Sequence, residues 1–223
     1  MFPLGVLNKK NTVNQSLTVV LLHLSGTVGA IDYTDSSPYS RTFTNNSGTP
    51  LLANNPIASR VSLQISSGGE YIETDDAPSL SLGSSDFTIE FFATPSSITG
   101  VSFWLERWFG GGVFSYQLYA NNDNSLHFDL RGVTQSQLLL DAPANSITNN
   151  YRNHIAIVRS GNTITMYING VAVASGAFVG AVVDTTNPLA VGRNINGYID
   201  EFRIRKEAMY LANFTPPTSP FTY

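Results

Sequence analysis

The sequence predicts an all-β protein, organised as a sandwich or a barrel of antiparallel strands. From residue 17 onward, short runs of alternating apolar and polar residues recur, as in 87–91, 101–105 and 126–130. This period of two is typical of strands that bury one face. Gly, Asn, Ser and Pro separate the runs as turn residues, and a helical period is nearly absent.

The C-terminal half contains three consecutive runs that predict an antiparallel meander. Residues 154–158 and 163–168 each alternate, with a turn at 160–162 between them, and a third run follows Asn169 and Gly170. A type I′ turn needs positive φ at both central residues, and Asn-Gly adopts these angles easily. We therefore expect a tight hairpin turn at this pair.

Residues 17–223 are predicted to form a single β-domain, since no linker divides them. The one helix that the pattern allows is a short C-terminal turn at 206–212, which Pro216 and Pro217 would end. Hydrophobic residues make up 42% of the chain, which is enough for a sizeable core without disulfides or metals.

Residues 1–16 differ from the rest of the chain and are predicted to form an N-terminal arm. The first seven are mostly apolar and the others polar and basic, with neither period sustained. So short a segment cannot bury its own apolar side chains. It is therefore either a frayed terminus or an arm that docks on a partner. In the second case the docking residues are Phe2, Leu4, Val6 and Leu7.

A secretion signal is an alternative for the same end of the chain. Lys9 and Lys10 precede an apolar run at 17–22, which is the order found in signal peptides. His23 interrupts the apolar segment, however, and the lysines lie far from the first residue. We therefore favour a short buried strand at 17–22.

Composition excludes several classes of function. Charged residues make up only 13% of the chain, about half the usual share, so Ser, Thr, Asn and Gly must cover the surface. Such surfaces suit packed assemblies and sheets that face sugars. The net charge of −4, with no basic patch, argues against a nucleic-acid binder. The absence of cysteine excludes disulfides, and no apolar run is long enough to span a membrane.

Several segments resemble motifs of the concanavalin A-like lectin/glucanase domains, which are also called laminin G-like domains. YRNHIAIVRSGN (151–162) resembles W-x-H-V-A-V-V-R-x-G-N, and MYING (166–170) resembles x-Y-V-N-G. GYIDEFRI (197–204) is similar to G-x-I-D-E-V-R-I, and SSDFTIEF (84–91) to G-x-x-D-F-T-I-E-F-W. LANFTPP (211–217) is similar to the tail found in the bacteriophage branch of the family.

The resemblance extends over about residues 17–220 and implies a two-sheet antiparallel jelly-roll sandwich. Phe92 and Tyr151 depart from the motifs, because they stand at or near positions where the family usually has Trp. Both replacements are aromatic, which is consistent with a repacked core. The resemblance implies no activity, since this fold serves glycosidases, lectins and structural modules alike.

No candidate catalytic group emerges from the sequence. Glucan-cleaving enzymes of this fold carry their acid and nucleophile in an E-x-D-x-E strand motif, which is absent here. Asp75–Asp76 and Asp200–Glu201 are adjacent pairs, whose side chains we expect on opposite faces of a strand. The histidines stand apart from any nucleophile and are predicted to be hydrogen-bonded structural residues: His23, His127 and His154. We therefore expect a protein that is not an enzyme.

The resemblance implies one candidate metal site. Relatives often hold a structural calcium ion near the sheet edge, with an aspartate at the position that Asp200 occupies here. Calcium takes six to eight oxygen ligands, so carbonyl groups and water would have to complete the site. Asp35 and Asp32 are further candidates for the same role. The alternative is that Asp200 accepts backbone N–H bonds or caps a turn.

Four aromatic residues are candidates for contact with a glycan or a partner protein: Trp108, Phe109, Tyr116 and Tyr119. Trp108 and Phe109 precede three glycines, which predicts that they lie at a loop tip. Sugar recognition needs exposed aromatic faces beside amide or carboxylate groups. The alternative is that these aromatic side chains anchor the hairpin.

Two functions remain open from the sequence. The first is a non-catalytic bacteriophage structural protein, a capsid decoration or a tail or fibre component, oligomeric and in contact with other virion proteins. The phage-like tail, the low charge and the apolar arm favour it. The second is a lectin-like carbohydrate-binding module or host-surface adhesin, secreted or extracellular, whose partner is a cell-surface glycan. Structural calcium is the only cofactor that either hypothesis includes.

Overall fold

The computed structural model describes residues 17–48, 50–66, 69–108, 114–134 and 137–223. The predicted N-terminal arm, with Phe2, Leu4, Val6 and Leu7, lies outside the described residues, and so does Phe109.

The described residues form antiparallel strands and one short 3-10 helix at Pro78–Leu80. In chain order the strands are β1 (Thr18–Leu22), β2 (Thr44–Ser47), β3 (Leu51–Asn55), β4 (Arg60–Ile65), β5 (Tyr71–Thr74), β6 (Phe87–Ser97), β7 (Ser102–Trp108), β8 (Phe114–Ala120), β9 (Leu126–Leu130), β10 (Leu138–Asp141), β11 (Asn153–Ser160), β12 (Thr163–Ile168), β13 (Val171–Ala177), β14 (Leu189–Val191) and β15 (Asn196–Arg205).

These strands build two sheets that pack face to face. The eight-stranded sheet has the order β13-β12-β11-β6-β15-β4-β3, with β1 also paired to β15. The seven-stranded sheet has the order β10-β9-β8-β7-β14-β5-β2. The predicted all-β, two-sheet antiparallel sandwich is therefore confirmed.

A contiguous apolar core fills the space between the two sheets. Phe91 meets Trp104 edge-on with ring centroids 6.3 Å apart, and meets Phe202 at 5.9 Å. Every second residue of the runs 87–91 and 126–130 is fully buried, as their alternation predicts. These strands therefore present one apolar face to the core and one polar face away from it.

The predicted alternation fails in β7, where the pairing with β8 shifts register. Phe103 pairs with Tyr119, but Leu105 pairs with Leu118, because a β-bulge lies between them. A bulge adds one residue to one strand and so changes which face the following side chains share. Leu105 and Trp104 are both fully buried, whereas Phe103 is partly exposed on the outer face.

The predicted meander is present as β11, β12 and β13. Asn169 and Gly170 form the second turn with φ of +51° and +78°, the signs that a type I′ turn requires. The side-chain Oδ1 of Asn169 also accepts a hydrogen bond of 2.9 Å from the backbone N–H of His154. The turn is thereby fixed to the neighbouring strand as well as to its own hairpin.

The helical turn predicted at 206–212 is wrong, because this segment is irregular and lies on a sheet. Residues 206–221, here called the C-terminal strap, cover part of the outer face of the eight-stranded sheet. Tyr210 and Phe214 stack on each other at 3.6 Å and pack over the buried outer-face side chains of β11 and β12. The backbone N–H of Met209 bonds Thr88 on β6, so the segment binds the sheet instead of its own backbone.

The strap and the Asn169–Gly170 turn touch directly. The backbone N–H of Phe214 donates to the carbonyl of Gly170 at 2.9 Å. A Cβ atom on Gly170 would overlap the carbonyl oxygen of Phe214. Glycine is therefore required here both for its positive φ and for the close approach of the strap.

A buried carboxylate joins the strap to three strands of the eight-stranded sheet. Glu90 Oε1 accepts a 3.0 Å hydrogen bond from Arg203 Nε, and its Oε2 lies 3.2 Å from His154 Nε2. Tyr210 of the strap donates to the same Oε2 at 2.8 Å. Burial raises the pKa of Glu90, but the hydrogen bond from His154 and the charge of Arg203 outweigh burial and lower that pKa overall.

Gly170→Ala is expected to lower the free energy of unfolding more than Gly161→Ala does. Both glycines have positive φ, and a Cβ at Gly161 meets nothing within 4 Å. The Gly161 variant should cost only the left-handed backbone strain, roughly 1–2 kcal/mol. The Gly170 variant adds the overlap with Phe214, roughly 1–3 kcal/mol more. Urea denaturation measures both variants, and equal losses would contradict the strap contact.

Glu90→Gln is expected to cost about 3 kcal/mol or more of unfolding free energy at pH 7, because it leaves Arg203 buried without its carboxylate. Since the folded-state pKa of Glu90 lies below the ordinary value of 4.5, its stabilisation is complete above that value and is lost as the pH falls below it. Urea midpoints from about pH 7 to about pH 3 should therefore fall more steeply for the wild type than for Glu90→Gln. Parallel curves would show that another group dominates acid unfolding.

Candidate functional site

The outer face of the seven-stranded sheet carries the side chains that alternate with the core residues of β8, β9 and β10. Leu118, Phe128 and Leu140 point into the core. Their chain neighbours therefore point outward, and the strand pairing places those neighbours in two parallel rows across the sheet.

The first row, here called the aromatic row, consists of Phe103, Tyr119 and His127, and Asp141 ends it. Each member pairs directly with the next across β7, β8, β9 and β10. The ring centroids of Phe103 and Tyr119 are 5.7 Å apart. Tyr119 stacks on His127 at 4.9 Å with an interplanar angle of 14°. The row thus presents a continuous, partly exposed strip of ring surface.

Hydrogen bonds fix the orientation of His127 within the aromatic row. Asn121 Nδ2 lies 2.9 Å and Ser125 Oγ 2.7 Å from its Nε2, and Asp141 Oδ1 lies 2.5 Å from its Nδ1. His127 is thus hydrogen-bonded, as predicted, and its side chain is also 15% exposed. The side chain of Asp141 is 56% exposed, so part of this carboxylate faces solvent.

The second row, here called the polar row, lies beside the first and consists of Glu106, Gln117 and Asp129. Each pairs with the next across β7, β8 and β9. Asp129 accepts a 3.2 Å hydrogen bond from Gln117 and 2.8 Å bonds from the Gln137 amide to both of its oxygens. Burial raises the pKa of Asp129, and the hydrogen bonds from these two amides, which lower that pKa, only partly offset the rise.

Glu106 is the most enclosed member of the polar row, at 1% exposed. Arg193 Nε lies 2.8 Å from its Oε1 as an ion pair, but neither carboxylate oxygen meets hydrogen-bond geometry with any described residue. Burial raises the pKa of Glu106 to about 6, and the charge of Arg193 opposes that rise. The Arg193 guanidinium also lies over the ring of Tyr71, 4.6 Å from its centroid.

The three described residues of the predicted aromatic contact cluster do not lie together. Tyr116 is fully buried in the core, so its prediction as a contact residue is wrong. Tyr119 is three residues further along the same strand, and it points outward into the aromatic row. Trp108 is partly exposed and pairs with Phe114 at the opposite end of the β7–β8 hairpin from Tyr119.

Sequence reasoning missed most of the outer-face residues. The alternation of 101–105 predicts Phe103 and Leu105 on one face, and the bulge between them places them on different faces. His127, Gln117 and Asp129 were not proposed as ligand contacts. The available signal was the alternation of β9, which buries Phe128 and so places His127 and Asp129 outside.

The predicted calcium ligand Asp200 is surrounded by guanidinium groups. Arg152 Nε donates to its Oδ2 at 3.2 Å, a second Arg152 nitrogen binds its Oδ1, and Arg60 Nη1 lies 3.4 Å from that Oδ1. Ser62 Oγ lies 3.4 Å from Oδ2. Two cationic side chains thus stand where a calcium ion would have to bind, and this geometry disfavours the calcium role of Asp200.

Asp35, the second calcium candidate, accepts bonds from protein donors. Its Oδ1 receives the backbone N–H groups of Leu21 and Ser37 at 3.0 and 2.9 Å. Its Oδ2 receives the Ser37 hydroxyl at 2.9 Å and the backbone N–H of Arg41 at 3.0 Å. This is the pattern of a carboxylate that organises a loop, so the geometry disfavours calcium here as well. The described residues contain no group of three or more His, Asp and Glu that could hold a metal ion.

The expectation that Asp200 and Glu201 point to opposite faces is wrong. β15 bulges between Asp200 and Arg203, and Glu201 adopts a φ of +53°. Both carboxylates consequently face Arg60, whose Nη2 lies 3.2 Å from Glu201 Oε1. Glu201 Oε2 also accepts the backbone N–H of Phe221 in the strap, at 2.8 Å.

Comparisons with known proteins place the chain in a family. The family model described as the concanavalin A-like lectin/glucanases superfamily, laminin G type, matches residues 66–212, which is more than half of the chain. No curated protein matches. Among the described residues, no helix is long and apolar enough to cross a membrane.

Solved structures with the same fold include binding domains of clostridial toxins. The binding domain of Paraclostridial Mosquitocidal Protein 1 matches with a TM-score of 0.69 and 18% identity, over 88% of this chain and 50% of that one. The binding domain of botulinum neurotoxin serotype D matches with a TM-score of 0.66 and 14% identity, over 88% and 49%. That of botulinum neurotoxin DC in complex with SialylT matches with a TM-score of 0.66 and 13% identity, over the same shares.

This chain spans about half the length of those binding domains, and at such low identity the likeness shows the fold alone. The family model and the two-sheet architecture agree with each other. The chain belongs to the concanavalin A-like lectin/glucanases superfamily, as a laminin G-like jelly-roll domain.

Proposed function

We propose that this domain is a non-catalytic glycan-binding module and that the outer face of its seven-stranded sheet is the binding face. The observation that carries the proposal is the aromatic row of Phe103, Tyr119 and His127 beside the polar row. Aromatic rings pack against the apolar face of a pyranose, while carboxylate and amide groups bond its hydroxyls. Convergence of an apolar strip with a few oriented polar groups is typical of small-molecule sites.

The contrast between the two outer faces supports this assignment. The strap covers part of the outer face of the eight-stranded sheet and buries Ala156, Val158 and Tyr167 there. On the seven-stranded sheet, the aromatic row is half-buried and ends at the exposed carboxylate of Asp141. A ligand that lies along this row would contact ring surface and carboxylate together.

Relatives provide independent support for sugar as the ligand class. The superfamily is described by its lectins and glucanases. The botulinum neurotoxin DC binding domain, which has the same fold, was solved in complex with SialylT, and cell entry of botulinum neurotoxin type C depends on interaction with two ganglioside molecules. These properties belong to those proteins, and they make glycan binding the first function to test for this domain.

The arrangement of carboxylates favours binding over hydrolysis. Asp129 is only 5% exposed, and the amides of Gln117 and Gln137 occupy its carboxylate oxygens. Glu106 is also enclosed and paired with Arg193, and the E-x-D-x-E motif is absent from the sequence.

The bacteriophage virion role stays a prediction of the sequence. A tail or fibre component that recognises a cell-surface glycan would use the same face, as would a secreted adhesin. The virion location, the oligomeric state and the contacts of the N-terminal arm therefore remain separate questions from glycan binding.

Tyr119→Ala is expected to weaken glycan binding at least ten-fold, because it interrupts the aromatic row at its centre. The binding partner is first identified on a glycan array and the affinity is then measured by isothermal titration calorimetry. Tyr151→Ala is the matched control, since Tyr151 is 52% exposed and precedes β11 of the other sheet. Circular dichroism checks that both variants fold. If both variants lose affinity equally, or if Tyr119→Ala loses none, the aromatic row is not the glycan-binding site.

Glycan affinity is expected to be unchanged, within about two-fold, between buffers with calcium and with EDTA. The reason is that Asp200 and Asp35 already bind guanidinium and backbone donors, so neither needs an ion. The same titration with differential scanning calorimetry checks whether calcium stabilises the domain. A higher Tm in calcium would instead support the calcium site that the sequence predicts.

A further inference from the structure

We propose that the binding face selects glycans by charge, taking neutral pyranosides and amino sugars and rejecting sialylated, uronic or sulfated ones. This inference rests on the proposed glycan-binding function and specifies the ligand class of the same face. It is argued from the charged groups that the strand pairing places around the aromatic row.

Among the residues that the structure describes, carboxylates outnumber cations on this face. Strand pairing places Asp129, Asp141, Glu106 and Glu73 on the same side of the sheet as Tyr119. The basic groups that act on the same side are Arg131, which lowers the pKa of Asp129 by its charge, and Arg193, which pairs with Glu106. Four acids against two arginines leave a formal charge of −2, with His127 counted as neutral.

Two of these carboxylates lie next to the aromatic row itself, at its end and on the same strand as His127. Burial raises the pKa of Tyr119, and the charges of Asp129 and Asp141 raise it further. Both carboxylates therefore act on the ring where a sugar would stack. A sialic acid or sulfate placed there would bring a negative charge next to these two carboxylates, which repel it.

The two arginines lie away from this point. Arg193 is held between Glu106 and the ring of Tyr71, and the Arg131 guanidinium lies over the ring of Phe114, 4.7 Å from its centroid. Phe114 and Glu106 belong to the part of the β7–β8 hairpin next to Trp108, whereas Tyr119 pairs with Phe103 at the other end. An acidic sugar over Tyr119 would thus face carboxylates and not guanidinium groups.

The hydrogen-bonding capacity of the carboxylates on this face also favours neutral and amino sugars. A carboxylate such as Asp141 only accepts hydrogen bonds, and it suits the hydroxyl or ammonium donors of a sugar. Asp129 is already bonded by Gln117 and Gln137, which keeps its charge in place beside the ring. An amino sugar would gain a charge-assisted bond that a neutral sugar lacks.

The test compares each of two neutral sugars with a derivative that carries a charge. Isothermal titration calorimetry at about 50 mM and about 500 mM NaCl measures N-acetyllactosamine against its sialylated form, and chitotetraose against its deacetylated form. Neutral and amino forms are expected to bind at least ten-fold more tightly than sialylated ones at low salt. High salt should bring the ratio of neutral to sialylated affinity closer to one, because screening weakens interactions between exposed charges.

Asp141→Asn removes one charge and keeps an acceptor oxygen for His127. It is expected to lower the ratio of the neutral-sugar affinity to the sialylated-sugar affinity at least three-fold, whatever its effect on neutral binding itself. Asp32→Asn is the matched control, because Asp32 is an exposed aspartate in the loop between β1 and β2. The control should leave the ratio unchanged.

The outcomes separate this inference from the proposed function. Equal or tighter binding of the sialylated sugar at the same face would overturn the charge selectivity and leave glycan binding intact. Absence of binding to sugars of every charge, on the array and in calorimetry, would overturn both. If Asp141→Asn and Asp32→Asn change the ratio of neutral to sialylated affinity equally, the selectivity does not come from this face, and the inference is overturned.

Discussion

The carboxylate of Glu90 is the interaction on which the eight-stranded sheet depends. It lies on β6, the strand that pairs with both β11 and β15, and it binds His154, Arg203 and Tyr210 from three other segments. A buried carboxylate without partners would cost several kcal/mol, so these partners must assemble together. The three central strands and the C-terminal strap consequently behave as one cooperative unit.

The strap gives the two outer faces different roles. On the eight-stranded sheet it converts the outward side chains of β11 and β12 into a second small core. On the other sheet, the outward side chains Gln117, Tyr119 and His127 remain half-exposed beside the buried carboxylate of Asp129. The face without the strap therefore keeps ring surface next to an exposed carboxylate.

Much of the fold could be predicted from the sequence, because alternation and turn chemistry are local. The faces of β6 and β9 and the type I′ turn at Asn169–Gly170 follow from period and residue type alone. Bulges could not be predicted, since one extra residue reverses the faces that follow it without changing the residue types. The errors at Phe103 and at Glu201 both arise in this way.

The candidate site was predicted less completely than the fold. Tyr116 and Tyr119 are three residues apart on one strand, so they lie on opposite faces, and grouping them by closeness in sequence was misleading. The aromatic row is made by pairing between strands, which residue spacing along one strand does not reveal. The partners of Asp200 were hidden for the same reason, because Arg60 and Arg152 come from distant parts of the chain.

The strap also affects how the domain folds during its synthesis. β1 pairs with β15, so the first of the fifteen described strands to be synthesised must wait for the last one. The strap that covers the outer face is synthesised later still, because it follows β15 in the chain. Until residues up to 221 have emerged from the ribosome, the apolar outer side chains of β11 and β12 stay uncovered. Such nascent chains are prone to aggregate or to recruit chaperones. Folding of this domain on the ribosome is therefore expected to be late and abrupt rather than gradual.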